Sequence, residues 1–283
     1  MSVPRHLDLA PELCATRVTA ASGELAALVA TPPDDVVRRP PVLAVPGYTG
    51  SKEDFLHLLP LLARIGHPVT AIDLRGQHES GGPEDVSAYT IEALGADVGS
   101  LLGAGEPMHV LAHSFGGLVC RAAVLAGAPV LSLTLLGSGP GALGGNRGLL
   151  IELMQPLLAE GGVPAVWEAS QAISAADPKS ADVPPEVREF VRRRFLAAPD
   201  AAMLGMGTAL ITAPDRVEEL RELALPILVA HGDADDAWTP DEQREMAERL
   251  GARYHVFEAA GHSPAVDVPE ATAELLETFW SSL

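Results

Sequence analysis

Cysteine is nearly absent from this chain, which has 283 residues and only two cysteines. Cys14 and Cys120 lie far apart and in no spacing that would hold a metal ion. Disulfide frameworks and zinc sites need several cysteines at short, regular spacings, so neither is predicted. We expect a cytoplasmic protein, in a reducing compartment, that needs no metal and no organic cofactor.

Positive charge is also scarce. The chain has 19 Lys and Arg against 38 Asp and Glu, which gives a formal net charge of −19. A surface of this sign repels phosphate backbones and anionic lipid headgroups. The composition therefore predicts that neither a nucleic acid nor a membrane is a partner, and it leaves the oligomeric state open.

Long uninterrupted hydrophobic runs are missing as well. Residues 122–146 carry no charge, but glycine and proline interrupt them repeatedly, whereas a membrane helix needs about 20 continuous apolar residues. We interpret the segment as a helix end, a buried strand and a loop. Near the N-terminus, Arg5, Asp8 and Glu12 fall where a signal peptide would be apolar, so no export signal is expected.

Short apolar runs do recur along the chain, each bounded by glycine or proline, and helical patterns separate them. Most of these runs are apolar on both faces, which is typical of parallel strands covered by helices. This alternation predicts an α/β fold with a mostly parallel central sheet flanked by helices, preceded by an N-terminal hairpin at 13–20 and 24–31. The predicted strands lie at 41–47, 67–76, 108–114, 129–137, 226–232 and 253–259, and the predicted helices at 54–65, 91–102, 117–126, 241–250 and 269–283.

The alternation stops once, between Gly137 and Leu225. That interval has no convincing strand, but apolar residues recur at helical spacing within 149–158, 187–195 and 200–212. We predict an inserted all-helical cap at 138–225, with loops near 174–185 and 213–215, and a core made of 1–137 and 226–283. Arg192, Arg193 and Arg194 are interpreted as a solvated helix face, with carboxylate recognition as the alternative.

The stretch AHSFGG contains a serine, Ser114, at the point where a strand turns directly into a helix. Only small residues fit two places before and after such a serine, and Ala112 and Gly116 occupy those places. The pattern is typical of a nucleophile elbow, which holds a hydroxyl at the carboxyl edge of a sheet and aims a helix N-terminus at developing negative charge. A plain tight turn is the alternative.

A serine nucleophile needs a base, and the base needs an acid that orients it. Asp233, Asp235 and Asp236 follow one later strand directly, and His262 follows the next. Each motif falls at the carboxyl end of a strand, where open α/β sheets hold their sites. The order serine, aspartate, histidine therefore indicates a catalytic triad.

Five stretches together resemble the α/β-hydrolase superfamily, in its branch of helical-cap esterases, lactonases, C–C hydrolases and cofactor-free haloperoxidases. The resemblance covers about residues 16–280 and implies no particular substrate. The stretches are VPGYTGSKEDF at 45–55, DLRGQHES at 73–80, LAHSFGG at 111–117, HGDADD at 231–236 and GHSP at 261–264.

The resemblance implies that Ser114 is the nucleophile, His262 the general base and Asp235 the acid. Asp236 remains an alternative acid, because the proline usual four residues beyond the family acid is five residues beyond Asp235. His78 stands where the family often has glycine, and it is expected either in the pocket or on a surface turn.

An oxyanion hole is implied by the same resemblance, formed by the backbone N–H groups of Tyr48 and Phe115. Trp167 is a candidate for the pocket wall, with packing against the sheet as the alternative, and Trp238 is another, with a core or surface position as the alternative. We expect a serine hydrolase that cleaves a small, lipophilic ester, thioester or lactone. C–C bond hydrolysis, acyl transfer and perhydrolase-type haloperoxidase activity on the same triad remain alternatives, as does a ligand-binding protein without catalysis.

Overall fold

The computed structural model describes residues 2–173 and 183–283, together with the backbone of Ser174. In these parts the chain forms one sheet of eight strands in the order β1-β2-β4-β3-β5-β6-β7-β8. Helices and loops cover the inner strands on both sides, and two of these apolar strands are buried over their whole length. The strands are β1 Leu13–Ala20, β2 Gly23–Ala30, β3 Val42–Val45, β4 Val69–Ile72, β5 Met108–His113, β6 Val130–Leu136, β7 Ile227–Gly232 and β8 Arg253–Phe257.

Strands β3 to β8 run parallel to one another, while β2 lies antiparallel to β4 and carries the β1 hairpin strand at the sheet edge. The predicted fold class is confirmed. Strand β5 lies between β3 and β6, so the residue that follows it stands at the middle of the carboxyl edge. Ser114 is that residue.

Helices cover both faces of the sheet, and each face has its own apolar cluster. On one face the strands pack with α2, α3 and α8, and on the other with α1 and α10. The helices are α1 Leu58–Arg64, α2 Ile91–Leu102, α3 Phe115–Leu125, α4 Gly145–Ser174, α5 Pro185–Leu196, α6 Asp200–Thr212, α7 Val217–Arg221, α8 Pro240–Leu250, α9 Pro264–Asp267 and α10 Pro269–Trp280.

In the described residues, helices α4 to α7 lie between β6 and β7, in the interval where the sequence predicts a cap. Helix α7 packs against the core, since its residues Val217 and Leu220 lie in the same apolar cluster as Met246 of α8. The domain limits at 138 and 225 stay a prediction. The predicted loop at 213–215 is present between α6 and α7, whereas most of the predicted loop at 174–185 lies outside the described residues.

Helix α4 is apolar and long enough to cross a membrane by length and composition alone. Its backbone breaks at Gly162, where φ is 67° and ψ is −172°, and the Asp200 carboxylate accepts the Val163 N–H at 2.7 Å beyond the break. On the inner side, Leu158, Val163 and Val166 pack with Phe195 and Met203. In this fold α4 is therefore a bent helix over the sheet edge, with an outer side of exposed residues that includes Leu149, Leu153 and Leu157.

The interpretation of Arg192, Arg193 and Arg194 as one solvated face is wrong for Arg194. Its side chain is buried, and its guanidinium donates to Asp54 at 2.7 Å and to the Ser2 carbonyl at 2.6 Å. Helix α5 turns this residue inward together with Val191 and Phe190. The buried ion pair attaches α5 to the short 3-10 helix Lys52–Phe55 of the core.

Candidate active site

Three side chains from distant parts of the sequence form one hydrogen-bonded chain at the carboxyl edge of the sheet. Ser114 Oγ lies 2.9 Å from His262 Nε2, and His262 Nδ1 lies 2.9 Å from Asp235 Oδ1. Ser114 directly follows β5, Asp235 lies just beyond β7 and His262 just beyond β8, and β6 separates β5 from β7 in the sheet. The arrangement allows the imidazole to take a proton from the hydroxyl while its other nitrogen is held by a carboxylate.

The backbone at Ser114 is strained, with φ at 55° and ψ at −123°. Non-glycine residues rarely adopt positive φ, and such strain is found at active sites that the surrounding structure holds in place. The turn is possible because Gly116 has no side chain: a Cβ there would lie 2.6 Å from the Pro46 carbonyl oxygen and 2.7 Å from that of Val45. The strand-turn-helix expected from the sequence is present, with α3 starting at Phe115.

Asp235 accepts three hydrogen bonds. Oδ1 accepts from His262 and, at 2.9 Å, from the Ala237 N–H, while Oδ2 accepts from Gln243 Nε2 at 3.0 Å. Burial raises the pKa of Asp235, but the interaction with His262 and these other hydrogen bonds outweigh burial, so its pKa is below the ordinary value. The carboxylate is therefore ionised when it faces the imidazole. The buried Gln243, in α8, is a contact that no sequence motif marks.

Asp236 has different surroundings from its neighbour. Its carboxylate is exposed and forms an ion pair with Arg147 of α4 at the mouth of the cavity described below. The structure brings Asp235, and not Asp236, to His262. The one-residue difference in the spacing to Pro240 is taken up in the turn between β7 and α8.

His113, directly before Ser114, forms a hydrogen bond to the backbone of the loop that carries His262. Its Nε2 donates to the His262 carbonyl oxygen at 2.8 Å. Burial, together with the nearby imidazole of His262, lowers the pKa of His113 to about 3. A neutral ring at this position supplies a hydrogen bond without placing a second positive charge beside the base.

The two N–H groups expected in the oxyanion hole lie next to Ser114. Phe115 is the first residue of α3, so its N–H has no partner within the helix. Tyr48 follows Gly47, at which a Cβ would lie 3.0 Å from Ser114 Cβ. Among the residues that the structure describes, neither N–H has an acceptor. Both are therefore free to bind an oxygen held above Ser114.

Gln77 is a second contact that the sequence did not reveal. The side chain is buried behind the Gly47–Tyr48 loop, and its Nε2 donates to the Gly47 carbonyl at 2.6 Å and to the Tyr48 carbonyl at 3.0 Å. His78 beside it has φ of 37°, which explains why glycine is usual there. His78 is half-buried and packs edge-on against Phe190, with ring centroids 5.4 Å apart, and it does not line the cavity above Ser114.

A cavity of about 510 Å³ opens above Ser114 and His262, between the sheet edge and helices α4 to α6. Among its described lining residues, Asp236 carries the acidic side chain and Arg147 the arginine side chain. These two side chains form an ion pair with each other. The remaining wall is apolar over most of its area, with polar side chains such as Asn146, Gln155 and Ser170 among the apolar ones. It includes Leu143, Ile151, Met154, Leu158, Met203 and Leu210.

Neither candidate tryptophan lines this cavity. Trp238 is 1% exposed and packs against Gly139 in the core, where a Cβ on the glycine would meet its indole ring. Trp167 turns toward Phe195, with ring centroids 5.3 Å apart, between α4 and α5. Both are packing residues, and the aliphatic side chains of α4 and α6 take the place that the tryptophans were expected to occupy.

One group of side chains has the spacing of a cation site: Glu53, His78 and Glu79. The Lys52 ammonium already lies among them, 2.9 Å from the Glu53 carboxylate and 2.8 Å from that of Glu79. It also bonds to Asp73 at 3.0 Å. Lys52 thus supplies the positive charge that a metal ion would otherwise bring to these carboxylates.

The fold and this constellation define an α/β protein with a hydroxyl, an imidazole and a carboxylate in series. A family model described as "Alpha/beta hydrolase family" matches residues 42–275. The chain therefore belongs to the alpha/beta hydrolase family and is an enzyme of the hydrolase class.

Individual relatives differ in their activities. Proline iminopeptidase of Lactobacillus delbrueckii subsp. lactis is 27% identical over 263 residues, which cover 84% of this chain and 89% of that protein. The enol-lactonase of Burkholderia xenovorans LB400 has a similar fold, with a TM-score of 0.75 at 21% identity over 94% of this chain and 100% of that one. An esterase of Thermogutta terrifontis gives 0.71 at 22% identity, over 95% and 98%.

Proposed function

We propose that this protein is a serine hydrolase that cleaves a small, lipophilic ester, thioester or lactone through an acyl-enzyme. The observation that carries the proposal is the hydrogen-bonded series Asp235–His262–Ser114, which opens into a mostly apolar cavity. A hydroxyl is a weak nucleophile at neutral pH, and an oriented base is the feature that activates it. Here the base and its orienting carboxylate both lie within hydrogen-bonding distance.

The reaction follows from these contacts. Ser114 Oγ attacks the acyl carbon while His262 Nε2 takes the hydroxyl proton, which it then gives to the leaving alcohol or thiol. Asp235 keeps the proton on Nδ1 and stabilises the imidazolium. Water enters next, gives a proton to His262 and attacks the acyl carbon, which releases the acid and restores Ser114.

Charge develops on the carbonyl oxygen in both tetrahedral intermediates. We assign its stabilisation to the N–H groups of Tyr48 and Phe115, which have no competing acceptor among the described residues. Loss of one such donor typically lowers kcat about 10²–10³-fold. The positive end of α3 adds to the same stabilisation, since Phe115 is its first residue.

An uncharged acyl group suits the cavity better than a charged one. Its wall is apolar over most of its area, and a buried charge without a partner is costly. An aminopeptidase reaction, such as the name of the L. delbrueckii relative describes, needs a carboxylate to receive the ammonium of the substrate. The acidic side chain in the described wall, Asp236, already pairs with Arg147. We therefore favour an ester over an N-terminal peptide bond.

The test is active-site labelling followed by substrate profiling. A fluorophosphonate should label Ser114, and nitrophenyl esters with short to medium acyl chains should be hydrolysed faster than prolyl nitroanilide. Ser114→Ala should lose labelling and lower kcat by more than about 10⁴-fold while its circular dichroism spectrum stays unchanged. Full activity of Ser114→Ala would contradict the proposal.

Product identification separates the alternatives that share this triad. Ester with added alcohol reports acyl transfer, ester with hydrogen peroxide reports perhydrolysis, and a vinylogous diketone reports C–C cleavage. We expect the free acid as the main product in each ester assay. If Ser114 does not react with the fluorophosphonate and neither the esters nor the diketone are turned over, the proposal is wrong and a ligand-binding protein without catalysis is favoured.

A further inference from the structure

Gln77 lies just beyond β4, and its side chain is buried at 3% exposure. All of its polar atoms are used. Oε1 accepts the Leu74 N–H at 2.9 Å, and this bond sets the amide so that Nε2 faces the Gly47–Tyr48 loop. Nε2 then donates to the carbonyls of Gly47 and Tyr48. One side chain thus ties the segment after β4 to the segment after β3.

The Gly47 carbonyl and the Tyr48 N–H belong to the same peptide unit. A peptide unit is planar and trans, so its C=O and N–H point in opposite directions. A donor that holds the carbonyl therefore also fixes the direction of the N–H, on the side away from Gln77. That N–H is one of the two assigned to the oxyanion hole.

The peptide unit between Gly47 and Tyr48 needs a restraint on its orientation. Glycine rotates freely about its backbone bonds, so a peptide that follows Gly47 is flipped at low cost. A flipped unit would direct a carbonyl oxygen, instead of an N–H, toward the negative oxygen of the intermediate. The Gly50 N–H, 3.1 Å from the Gly47 carbonyl, supplies a second restraint from within the turn. The bond from Gln77, at 2.6 Å, is the shorter of the two.

We propose that Gln77 is a positioning residue of the oxyanion hole, which acts by holding the Gly47 carbonyl so that the Tyr48 N–H faces the developing oxyanion. The inference rests on the proposed function, because it needs a reaction in which charge develops on a carbonyl oxygen. A glutamine fits the task because it accepts from Leu74 and donates to two carbonyls with one group. A glutamate would turn a lone pair toward the same carbonyls.

The test compares Gln77→Met, which keeps the approximate size without the amide, and Gln77→Glu with Ser132→Ala. Ser132 is buried and bonds to His109 at 2.8 Å, near the start of β6 and away from the site, so it reports a lost buried hydrogen bond alone. For Gln77→Met we expect kcat to fall about 10- to 100-fold with KM nearly unchanged. Gln77→Glu should lose more, and Ser132→Ala should keep the kcat of the wild type.

A second readout separates positioning from stability. A boronic acid that forms a tetrahedral adduct with Ser114 should lose affinity in Gln77→Met by about the factor lost in kcat, whereas the product acid should bind as before. Gln77→His retains a ring N–H donor and should recover part of the loss. If Gln77→Met fails to fold, the comparison is made with Gln77→His and Gln77→Glu instead.

The outcomes are distinct. If Gln77→Met is folded and keeps wild-type kcat and boronate affinity, or only lowers Tm as Ser132→Ala does, the inference on Gln77 is wrong and the serine hydrolase stands. If the wild-type protein neither reacts at Ser114 nor hydrolyses any ester, both proposals fail together.

Discussion

Two adjacent aspartates show how much one residue position changes chemistry. Asp235 points inward to His262, Ala237 and Gln243, while Asp236 points to the rim and pairs with Arg147. The same side chain is thus a buried orienting group at one position and a surface ion-pair partner at the next. Surface pairs of the second kind are worth at most about 1 kcal/mol.

Paired amide variants test this difference. Asp235→Asn should lower kcat by about 10⁴-fold, because the amide stabilises neither the required tautomer nor the imidazolium. Asp236→Asn, the matched control, should change kcat less than about threefold, since it removes only a surface pair. Steady-state kinetics on a nitrophenyl ester measures both. Equal losses in the two variants would contradict the assignment of the acid.

For individual residues, the sequence predicted those that belong to a recognisable motif. It missed those whose hydrogen-bond partners are brought close only by the fold. Ser114, Asp235 and His262 were expected from chain order, and the structure joins them by hydrogen bonds. Gln77 and His113 donate to backbone carbonyls of other segments, the latter to a residue 149 positions away. A contact with a carbonyl carries no sequence signature, because every residue has one.

Helix α5 illustrates the scale of a single element, since one buried ion pair attaches it to the core. The Arg194 guanidinium and the Asp54 carboxylate are both nearly inaccessible to solvent, with side-chain exposures of 1% and 3%. Removal of one partner from such a pair leaves a buried charge without compensation. The neighbouring Arg192 on the same helix pairs at the surface instead, with Glu189.

We expect Arg194→Met to lower the free energy of unfolding by about 3–5 kcal/mol, because Asp54 loses its partner while it stays buried. Arg192→Met, the matched control on α5, should change it by less than about 0.5 kcal/mol. Urea unfolding measures both values, and the double variant Arg194→Met/Asp54→Asn should recover part of the loss. A cost no larger than that of Arg192→Met would mean that the pair does not hold α5.

Element by element, the strands were predictable and the helices after β6 were less so. A strand covered on both sides must be apolar throughout, and that pattern is visible without a structure. The break of α4 at Gly162 depends instead on Asp200, from another helix, which accepts the N–H beyond the break. The inward turn of Arg194 likewise depends on a partner, Asp54, that is distant in sequence.

Among the buried histidines of the described residues, His109 and His113 couple the stability of the whole molecule to pH. Burial, with a neighbouring histidine in each case, lowers the pKa of His109 to about 4 and that of His113 to about 3. The unfolded chain takes up these protons near pH 6.5, whereas the folded chain does not. Stability is therefore full above about pH 6.5 and falls as the pH drops from there toward the two folded-state pKa values.

This predicts that the free energy of unfolding decreases between pH 7 and pH 5, each histidine contributing on the order of 1–2 kcal/mol. His109→Gln should show a smaller decrease than the wild type, because one of the two groups no longer titrates. His6→Gln, a change at an exposed position, should keep the full decrease. Urea titrations at both pH values provide the measurement, and identical pH slopes for wild type and His109→Gln would contradict it.

The phenol of Tyr48 has a consequence for how enzymes of this architecture diversify. Its hydroxyl donates to the Met203 carbonyl of α6 at 2.6 Å, while the backbone N–H of the same residue is one of the two that we assign to the oxyanion hole. One residue, Tyr48, thus contacts the helix that covers the cavity and also contributes the N–H beside Ser114. Replacing α6 with a helix from another protein would therefore also displace the Tyr48 N–H. A change of substrate preference should disturb this N–H less when it alters side chains within the existing helices.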